Sequence, residues 1–361
     1  MIKVLLSSEK MPILSAKLRE YLSTGFEESA ALAAAMPKRA QFDMQESDLF
    51  FDGEDGQEYI VHFSKNPDLT NGACRYVKSG ENPRKVRFGT LLPGTTYYAK
   101  IVNAQDESDC TEIFSFATED CIVRPLYVLD ADGYGPRNVR DIGGYTVRGG
   151  GKIRYEKMYR GTLLNNCWND NYQTTDGVRK ILKDELGIVA EIDLRMHGVD
   201  DVNVVEEIKI PQTVNELDEQ LPYYKLAIEG YAVAFTDENS IKNIPQIFRA
   251  LTNENNYPVY LHCIAGADRT GTFVFLLHLL LGVDYEDALR QYEMTSFSPQ
   301  GPRLRVNNPD PVVHFDKFTA KLLELYGNGS DDLNAAVERY VLSLGVTKDE
   351  IDTIRRIFIQ D

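Results

Sequence analysis

The sequence PVYLHCIAGADRTG, residues 258 to 271, places a cysteine six positions before an arginine, between an apolar strand-like run and an apolar helix-like run. The residues between Cys263 and Arg269 are enough to curl the backbone into a loop whose N–H groups point inward, and the following helix adds its positive N-terminal end. A guanidinium supplies the planar, forked donors that tetrahedral oxygens accept. This stretch therefore predicts an α/β strand–loop–helix unit that forms a phosphate pocket with a cysteine at its base.

The other residues of the loop fit the same chemistry. The positive field lowers the thiol pKa of Cys263, so that a thiolate nucleophile exists at neutral pH. Arg269 is the predicted phosphate clamp, and Asp268 is positioned to give a proton to a leaving oxygen and later to take one from water. Gly266 permits a tight turn, and the Thr270 hydroxyl can bond the thiolate or the leaving group. The predicted phosphate-binding residues are Ile264, Ala265, Gly266, Ala267 and Thr270.

Other interpretations of the loop remain open. A carboxylate next to Arg269 could be a structural salt bridge, in which case an acid on another loop, such as Asp237, would protonate the leaving group. The loop could also belong to a catalytically silent module that only binds phosphate, or to an adhesion protein in which catalysis is secondary. Because Cys263, Arg269 and Asp268 are all present, an enzyme is the favoured interpretation.

Four segments resemble one known family. HCIAGADRTG, residues 262 to 271, is similar to the HCxxGxDRTG signature of the bacterial and fungal tyrosine-phosphatase-like enzymes, which carry the catalytic aspartate inside the phosphate loop. NVRDIGGY (138–145) resembles the entry motif, KMYRG (157–161) the strand that carries an arginine, and GIVAEIDLR (187–195) the strand that supports the loop. The resemblance implies a cysteine-dependent phosphatase domain over residues 126–361 that needs no cofactor.

We expect a set of charged residues in these motifs to form an ion-pair scaffold behind the loop, and not to contact substrate directly. His262 is expected to orient the loop through a hydrogen bond to its backbone. The residues of the expected scaffold are Arg140, Asp141, Arg160, Asp193 and Arg195.

The substrate is expected to be phosphotyrosine in a protein, or a small phosphomonoester. Lipid-directed relatives commonly carry lysine before the catalytic aspartate, and Ala267 stands there in this chain. The missing cation weakens the case for phosphoinositides and inositol polyphosphates, so phosphotyrosine is favoured and a lipid headgroup is the alternative substrate. Arg303 and Arg305 lie in a possible lid between Met294 and Leu322, where they could recognise an anion or be a solvated pair. The aromatic residues that could line the pocket are Tyr223, Tyr224, Tyr231 and Phe235.

Composition sets the wider limits. The chain has 361 residues with 43% hydrophobic content, enough for a sizeable core and two domains. A formal charge of −16 argues against nucleic acid or anionic membrane as a partner. Since neither a signal peptide nor a membrane-spanning run is evident, a cytoplasmic location is favoured, and secretion stays possible if a signal was removed.

Cysteine and histidine usage predicts no metal site. The five cysteines lack metal-ligand spacing, and the five histidines are scattered. We expect single thiols, with a disulfide between two of Cys74, Cys110 and Cys121 as the alternative in an oxidising compartment.

The first third of the chain indicates a separate all-β domain, residues 1–120, with a helical lead-in near residues 18–35. The run LLPGTTYYAKIVNAQ (91–105), followed by FSFAT (114–118), is similar to the end of a fibronectin type III-like module. This domain could dock on the catalytic domain or on a protein partner. The predicted strands, separated by turn-forming residues, are 48–51, 57–64, 85–88, 96–104 and 110–117.

After a linker at residues 119–136, strand and helix patterns alternate, which predicts a mostly parallel central sheet flanked by helices. The site should lie at the carboxyl end of the strand that ends at His262. A final helical pair, residues 331–359, should break at Gly345 and restart at a capping box of Thr347 and Glu350. The predicted strands are 188–193, 222–226 and 258–262, and the predicted helices are 175–186, 240–251, 270–281 and 285–294.

Overall fold

The computed structural model describes residues 2–5, 9–37, 44–164, 172–196, 221–305 and 315–361. The strands are β1 (Lys3–Leu5), β2 (Lys10–Met11), β3 (Asp48–Asp52), β4 (Tyr59–Ser64), β5 (Ala73–Val77), β6 (Arg84–Arg87), β7 (Thr96–Asn103), β8 (Phe114–Thr118), β9 (Arg140–Asp141), β10 (Lys152–Ile153), β11 (Met158–Gly161), β12 (Ala190–Asp193), β13 (Tyr223–Lys225), β14 (Val259–His262) and β15 (Ile359–Gln360). The α-helices are α1 (Ala16–Ser23), α2 (Phe26–Ala34), α3 (Asp176–Lys180), α4 (Glu238–Ala250), α5 (Asp268–Leu281), α6 (Tyr285–Glu293), α7 (Phe315–Tyr326), α8 (Leu333–Ser343) and α9 (Lys348–Phe358). Tighter or wider helical turns occur at Ile181–Glu185, Tyr231–Phe235, Glu254–Asn256 and Met294–Phe297.

The central sheet has the strand order β13-β12-β14-β11-β9. β14 lies in the middle and pairs in parallel with β12 on one side and β11 on the other, and β13 pairs in parallel with β12. β9 closes the far edge as an antiparallel strand. The carboxyl ends of β11, β12 and β14 therefore meet at one edge of the sheet, and the loop after His262 lies there.

Helices cover both faces of this sheet. On β14, Val259 and Leu261 join an apolar cluster with residues of α4 and α5, whereas Tyr260 joins a second cluster with α3. A strand that is buried on both faces is mostly apolar along its length, which explains the unbroken run VYL. The protein thus has the α/β class that the sequence predicts.

Helix α5 is almost entirely apolar and is buried from Thr270 to Leu281. The predicted core stripe of this helix, which includes Phe273 and Leu276, is confirmed. The helix ends at Gly282, whose φ of 97° lies in the left-handed region that glycine adopts without strain. The carboxyl-terminal pair is also confirmed, since α8 and α9 are separated at Gly345 and Thr347 forms the expected capping box with Glu350.

Two further sheets precede the central one, with strand orders β1-β3-β6 and β2-β8-β7-β4-β5. Leu49 and Phe51 of the first sheet and Val61, Phe63 and Ile101 of the second share a single apolar cluster. The two sheets therefore pack face to face through their apolar sides. β1, β2 and β5 were not predicted from the sequence, because these short segments show little apolar alternation.

The helical lead-in differs from the expectation. Instead of one helix near residues 18–35, α1 and α2 are separated at Thr24 and Gly25. Leu18, Tyr21 and Ala33 belong to the large apolar cluster that contains α5 and the central sheet. By its contacts, the lead-in is part of the carboxyl-terminal α/β body.

In the part of the chain that the structure describes, no helix is long and apolar enough to cross a membrane, and no group of three or more metal-ligating side chains occurs. The described cysteines, Cys74, Cys110, Cys121 and Cys263, are single thiols in the structure. Cys167 and His197 lie outside the described residues.

Candidate active site

The loop after β14 is held in place by hydrogen bonds that neighbouring side chains donate to its carbonyl oxygens. The side-chain amide of Asn138 donates to the carbonyl oxygens of Ala265 and Gly266, at 3.2 and 3.1 Å. The guanidinium of Arg160, on β11, donates to the same Gly266 oxygen at 2.5 Å and reaches that of Ala267 at 3.5 Å. The middle of the loop is therefore fixed by two side chains from neighbouring elements.

The start of the loop is held in the same way. His262 Nδ1 donates to the carbonyl oxygen of Cys263 at 2.9 Å, and the backbone N–H of Leu163 donates to that of Ile264 at 3.0 Å. In a planar trans peptide the C=O and the following N–H point in opposite directions. Since the carbonyls of residues 263–267 turn outward, the N–H groups of residues 264–268 turn inward, and these form a nest suited to an anion.

Gly266 is required for this path. Its φ is 60°, and a Cβ built on it would lie 2.1 Å from the carbonyl oxygen of Gly161 on β11. Both the left-handed backbone and the close approach of the strand exclude a side chain. The sequence-based expectation that a glycine here lets the loop turn tightly is consistent with this geometry.

Cys263, the residue that begins the loop, is buried, with a relative exposure of 2%. Burial alone would raise the pKa of its thiol, but the charge of Arg269 and the nearby polar groups of Thr270 outweigh it. The pKa of Cys263 therefore lies below the ordinary thiol value, which favours the thiolate.

Asp268, the first residue of α5, faces a second arginine. Arg303 donates from Nε to Oδ1 at 2.6 Å and from Nη2 to Oδ2 at 2.8 Å, and the Tyr231 hydroxyl also donates to Oδ1. Burial alone would raise the pKa of Asp268, but Arg303, then Tyr231 and the charge of Arg269, outweigh it. The pKa of Asp268 lies below the ordinary carboxyl value, so the group is a carboxylate in this state.

A buried network supports His262. Its Nε2 lies 2.8 Å from Glu191 Oε1, and its Nδ1 faces the Cys263 carbonyl, so both ring nitrogens face acceptors and the imidazolium satisfies both. Burial alone would lower the pKa of His262, but the charges of Asp193 and Glu191 raise it above the ordinary value. His262 is thus placed to orient the loop, as the sequence analysis expected.

Asp193 forms the predicted ion pair with Arg195, at 2.7 Å between Oδ2 and Nη2, and both side chains are fully buried. Lys225 and the Tyr223 hydroxyl also donate to Asp193 Oδ2, at 3.1 and 2.7 Å. This part of the expected scaffold lies at the carboxyl end of β12, next to His262, whose Nδ1 is 4.0 Å from Asp193 Oδ1.

The other expected scaffold residues behave differently. Within the described residues, Arg140 and Arg160 contact no carboxylate. They donate to carbonyl oxygens and to polar side chains, such as Gln291 for Arg160 and Asn138 for Arg140. Asp141 pairs with Arg124 at 3.1 Å and accepts the N–H of Gly143. The expectation that all five residues form one ion-pair scaffold is therefore wrong. Arg140 and Arg160 support the loop and its surroundings through hydrogen bonds, many of them to backbone carbonyls.

The structure also places two other named residues. Asp237, the alternative acid, is the N-cap of α4, where its carboxylate accepts the N–H and the hydroxyl of Ser240, each at 2.7 Å, and its role as an acid stays a prediction. Arg305 is not solvated, because it is 5% exposed and pairs with the buried Glu293. Of the possible lid, residues 306–314 lie outside the described part of the chain.

The expected aromatic wall is divided among different environments. Tyr231 reaches Asp268 and so lies at the site. Phe235 instead stacks on Phe318 in the core, with ring centroids 5.1 Å apart, and the Tyr224 hydroxyl bonds the side chain of Asn256. Through these contacts Phe235 packs on the core and Tyr224 bonds Asn256, and neither contact is with the phosphate loop.

Two contributors, Asn138 and Glu191, were missed from sequence, and so was the partner of Arg303, which was expected to recognise an anion or to be solvated and instead pairs with Asp268. Asn138 begins the NVRDIGGY segment, and its φ of 57° is a conformation that asparagine adopts more readily than most residues. Glu191 is a charged residue in the middle of an apolar strand, which is a signal for a buried partner. Arg303 carries no local signal, because its contact with Asp268 depends on the path of a distant segment.

A buried cysteine at the start of a nest of inward N–H groups, with an arginine six residues later, in a central β-sheet flanked by helices, defines a cysteine-type phosphatase. A sequence model of the tyrosine phosphatase family matches residues 134–360. The chain therefore belongs to the tyrosine phosphatase family, and the resemblance seen in the sequence motifs is confirmed at this level.

Individual relatives are distant. The mouse receptor-type tyrosine-protein phosphatase epsilon is 23% identical over 203 residues, which is 55% of this chain and 26% of the mouse protein. The chain thus spans about a quarter of the length of that relative. Among solved structures, P. aeruginosa TpbA in complex with pTyr has 16% identity and a TM-score of 0.30, with 54% of this chain and 90% of TpbA covered. The core catalytic domain of PP-IP phosphatase SIW14 from S. cerevisiae has 16% identity and a TM-score of 0.29, with 45% and 80% covered.

Proposed function

We propose that the protein is a protein-tyrosine phosphatase that works through a phosphocysteine intermediate on Cys263. The observation that carries this proposal is the orientation of the loop: five consecutive carbonyls face outward to their partners, which turns five N–H groups toward the space above the sulfur. A phosphoryl group that binds there meets a thiolate at the base and a positive helix end beside it.

The proposed reaction has two steps. In the first, the Cys263 thiolate attacks phosphorus, an S–P bond forms and the P–O bond to the leaving group breaks, while protonated Asp268 gives its proton to the leaving oxygen. In the second, water attacks phosphorus and gives a proton to the Asp268 carboxylate, and the S–P bond breaks to restore the thiolate. Arg269 clamps the phosphoryl oxygens, which carry the growing charge in both steps.

Phosphotyrosine is the proposed substrate. Family membership supports it, and so does the name of the mouse relative, a tyrosine-protein phosphatase. Ala267 adds no cation to the loop, whereas lipid headgroups with several phosphates would favour one. The net charge of −16 also disfavours approach to an anionic membrane.

We also propose that the two amino-terminal sheets form a fibronectin type III-like domain that docks on the catalytic domain. The contact between them includes Arg75 and Thr90 of the first part of the chain, which both bond Glu185 next to α3. Arg124 adds hydrogen bonds to the carbonyl oxygens of Thr90 and Leu91, at 2.6 and 3.1 Å. Contacts of this kind, which involve the charged side chains of Arg75, Glu185 and Arg124, fit a domain held in a fixed position better than a domain on a flexible tether.

The test compares the full chain with Cys263→Ser on phosphotyrosine peptides, phosphoserine peptides and phosphoinositide vesicles. We expect hydrolysis of phosphotyrosine peptides above the other two, and no turnover by Cys263→Ser although phosphate still binds. Phosphate binding without turnover by the unmodified chain would support a silent binding module. A preference for inositol lipids would support the lipid phosphatase.

A further inference from the structure

The Asp268 carboxylate is surrounded by donors on both oxygens. Oδ1 accepts from Arg303 Nε and from the Tyr231 hydroxyl, and Oδ2 accepts from Arg303 Nη2. The two arginine contacts form a bidentate pair, the strongest arrangement that a guanidinium makes with a carboxylate. These donors occupy both lone-pair positions of Oδ1 and one of the two on Oδ2, so a proton fits only at the remaining Oδ2 position, where it removes the negative charge that Arg303 pairs with. The contacts therefore fit the ionised form of Asp268 and oppose the protonated form.

Arg303 is itself fixed in place. Its Nη1 donates to the carbonyl oxygens of Gln300 and Pro302, at 3.2 and 3.1 Å. Its backbone N–H donates to Ser296 Oγ at 2.8 Å, and the Ser296 hydroxyl donates to its carbonyl at 2.8 Å. A guanidinium whose side chain and backbone are both held loses little further freedom when it pairs with Asp268.

The segment that carries Arg303 is anchored to the amino-terminal helices. Two residues later, Arg305 packs over the Phe26 ring at 3.9 Å and pairs with Glu293. Ser29 of α2 accepts from Arg305 at 3.0 Å, and the Tyr21 hydroxyl of α1 donates to Glu293 at 2.7 Å. The helical lead-in thus contributes to the position of Arg303 above the candidate acid.

We propose that Arg303 is a positioning residue that holds Asp268 as a carboxylate and so limits the fraction of enzyme that can protonate a leaving group. This inference rests on the proposed function, in which Asp268 is the acid. Asp268 is then ready for the water-activating step, and the first step is favoured at low pH. The lowered pKa of Asp268 agrees with this geometry. The charged and titratable groups that face Asp268 are Arg303, Tyr231, Tyr292, Arg269, Arg160 and Cys263.

The test measures kcat/KM for phenyl phosphate and for 4-nitrophenyl phosphate across a pH range. Both substrates need the Cys263 thiolate, but only phenyl phosphate, with its poor leaving group, depends strongly on a proton donor. The ratio of the two values therefore reports the protonated fraction of Asp268. It should fall about tenfold per pH unit above the pKa of Asp268, since each unit removes nine tenths of the remaining acid.

In Arg303→Gln the ratio should be at least about tenfold higher than in the unmodified protein at the same pH, because an opposite charge at this range shifts a carboxyl pKa by one unit or more. Arg303→Lys should give an intermediate ratio, since it keeps a charge without the fork. Arg356→Gln, the matched control on an exposed pair with Glu254, should leave the ratio unchanged. In an Asp268→Asn background, Arg303→Gln should not change the ratio further.

A ratio in Arg303→Gln equal to that of the unmodified protein at every pH would overturn the proposal. Thermal unfolding checks the fold of each variant, and if Arg303→Gln does not fold, Arg303→Lys carries the test with the same direction of change. Failure of the proposed function would look different, because neither aryl phosphate would then be hydrolysed through Cys263. A change in both kcat/KM values by the same factor would assign Arg303 to structure alone and contradict the proposal.

Discussion

The guanidinium of Arg160 lies 2.5 Å from the carbonyl oxygen of Gly266, and both residues are buried. Arg160 comes from β11 and Gly266 from the loop after β14, two strands that pair in parallel. The Arg160 side chain also donates to Gln291 Oε1 of α6 at 2.7 Å. One arginine therefore links the neighbouring strand, the phosphate loop and a helix behind it.

Replacement of Arg160 by lysine should loosen the loop without removing the charge. A lysine cannot hold Gly266 and Gln291 at once, so at least one buried acceptor is left unpaired, at a cost of about 1–3 kcal/mol. We expect kcat/KM for 4-nitrophenyl phosphate to fall by about ten- to a hundredfold. Arg148→Lys, on an exposed arginine, is the control and should change little. An Arg160→Lys enzyme of normal activity would show that the loop does not need this support.

Gly266→Ala tests the shape of the loop. The new Cβ would lie 2.1 Å from the Gly161 carbonyl, so the loop must move and the inward N–H groups lose their alignment. We expect binding of vanadate to weaken by more than about a hundredfold, since several hydrogen bonds to an anion are lost together. Gly329→Ala is matched in backbone, with φ 76°, and its Cβ meets no described atom within 4 Å. That variant should bind vanadate normally, and equal binding by both variants would refute the steric argument.

His278 predicts a pH dependence of stability. This residue of α5 is fully buried and bonds the Ile142 carbonyl through Nε2 at 3.0 Å, and burial lowers its pKa to about 3. In the unfolded chain its pKa is about 6.5, so the unfolded state takes up the proton first and stability is lost as pH falls below that value. The loss from this group is about 1.4 kcal/mol per pH unit between the two pKa values.

The measurement is chemical unfolding of the unmodified protein and of His278→Gln at pH 7 and pH 5. Glutamine does not titrate, so the loss of unfolding free energy between the two pH values should be smaller in the variant by about 2 kcal/mol. An identical loss in both proteins would mean that His278 is not buried in its neutral form.

Glu293, which links Arg305 to the amino-terminal helix α1, should contribute to the stability of the fold. Glu293 is fully buried and accepts from Arg305 and from Tyr21 of α1. Glu293→Ala leaves the Arg305 charge buried without its partner, so we expect a loss of about 3–5 kcal/mol in unfolding free energy. Glu254→Ala removes an exposed pair with Arg356 and should cost less than about 1 kcal/mol. Similar losses for the two variants would argue against a buried anchor.

The parts of the fold that the sequence analysis predicted correctly carry a local signal. The run VYL is apolar throughout, and the helix after it is almost entirely apolar. Long apolar runs of this kind are a strong signal of buried elements in the sequence alone. The lead-in was wrongly predicted as a single helix. Its sequence looks like one amphipathic stretch, whereas Gly25 separates two short helices. β5, with the sequence ACRYV, was missed because a cysteine, an arginine and an exposed tyrosine interrupt the apolar alternation.

The candidate site shows the same division. Cys263, Gly266, Asp268 and Arg269 lie in one short segment, so their spacing alone predicts a loop. Arg303 lies 35 residues from Asp268, and nothing in its neighbours indicates which carboxylate it meets. Long-range partners of this kind are set by the packing of α6 and the segment after it, which periodicity does not report.

The central claim is that Cys263 carries the phosphoryl group during turnover. The most direct test is rapid quenching of the full chain during hydrolysis of a phosphotyrosine peptide, followed by mass spectrometry of its peptides under conditions that preserve S–P bonds. We predict a phosphoryl group on the peptide that contains Cys263, at an amount that increases in Asp268→Asn with an activated aryl phosphate, because that variant activates water poorly. A phosphoryl group on another residue, or continued turnover by Cys263→Ser, would contradict the account.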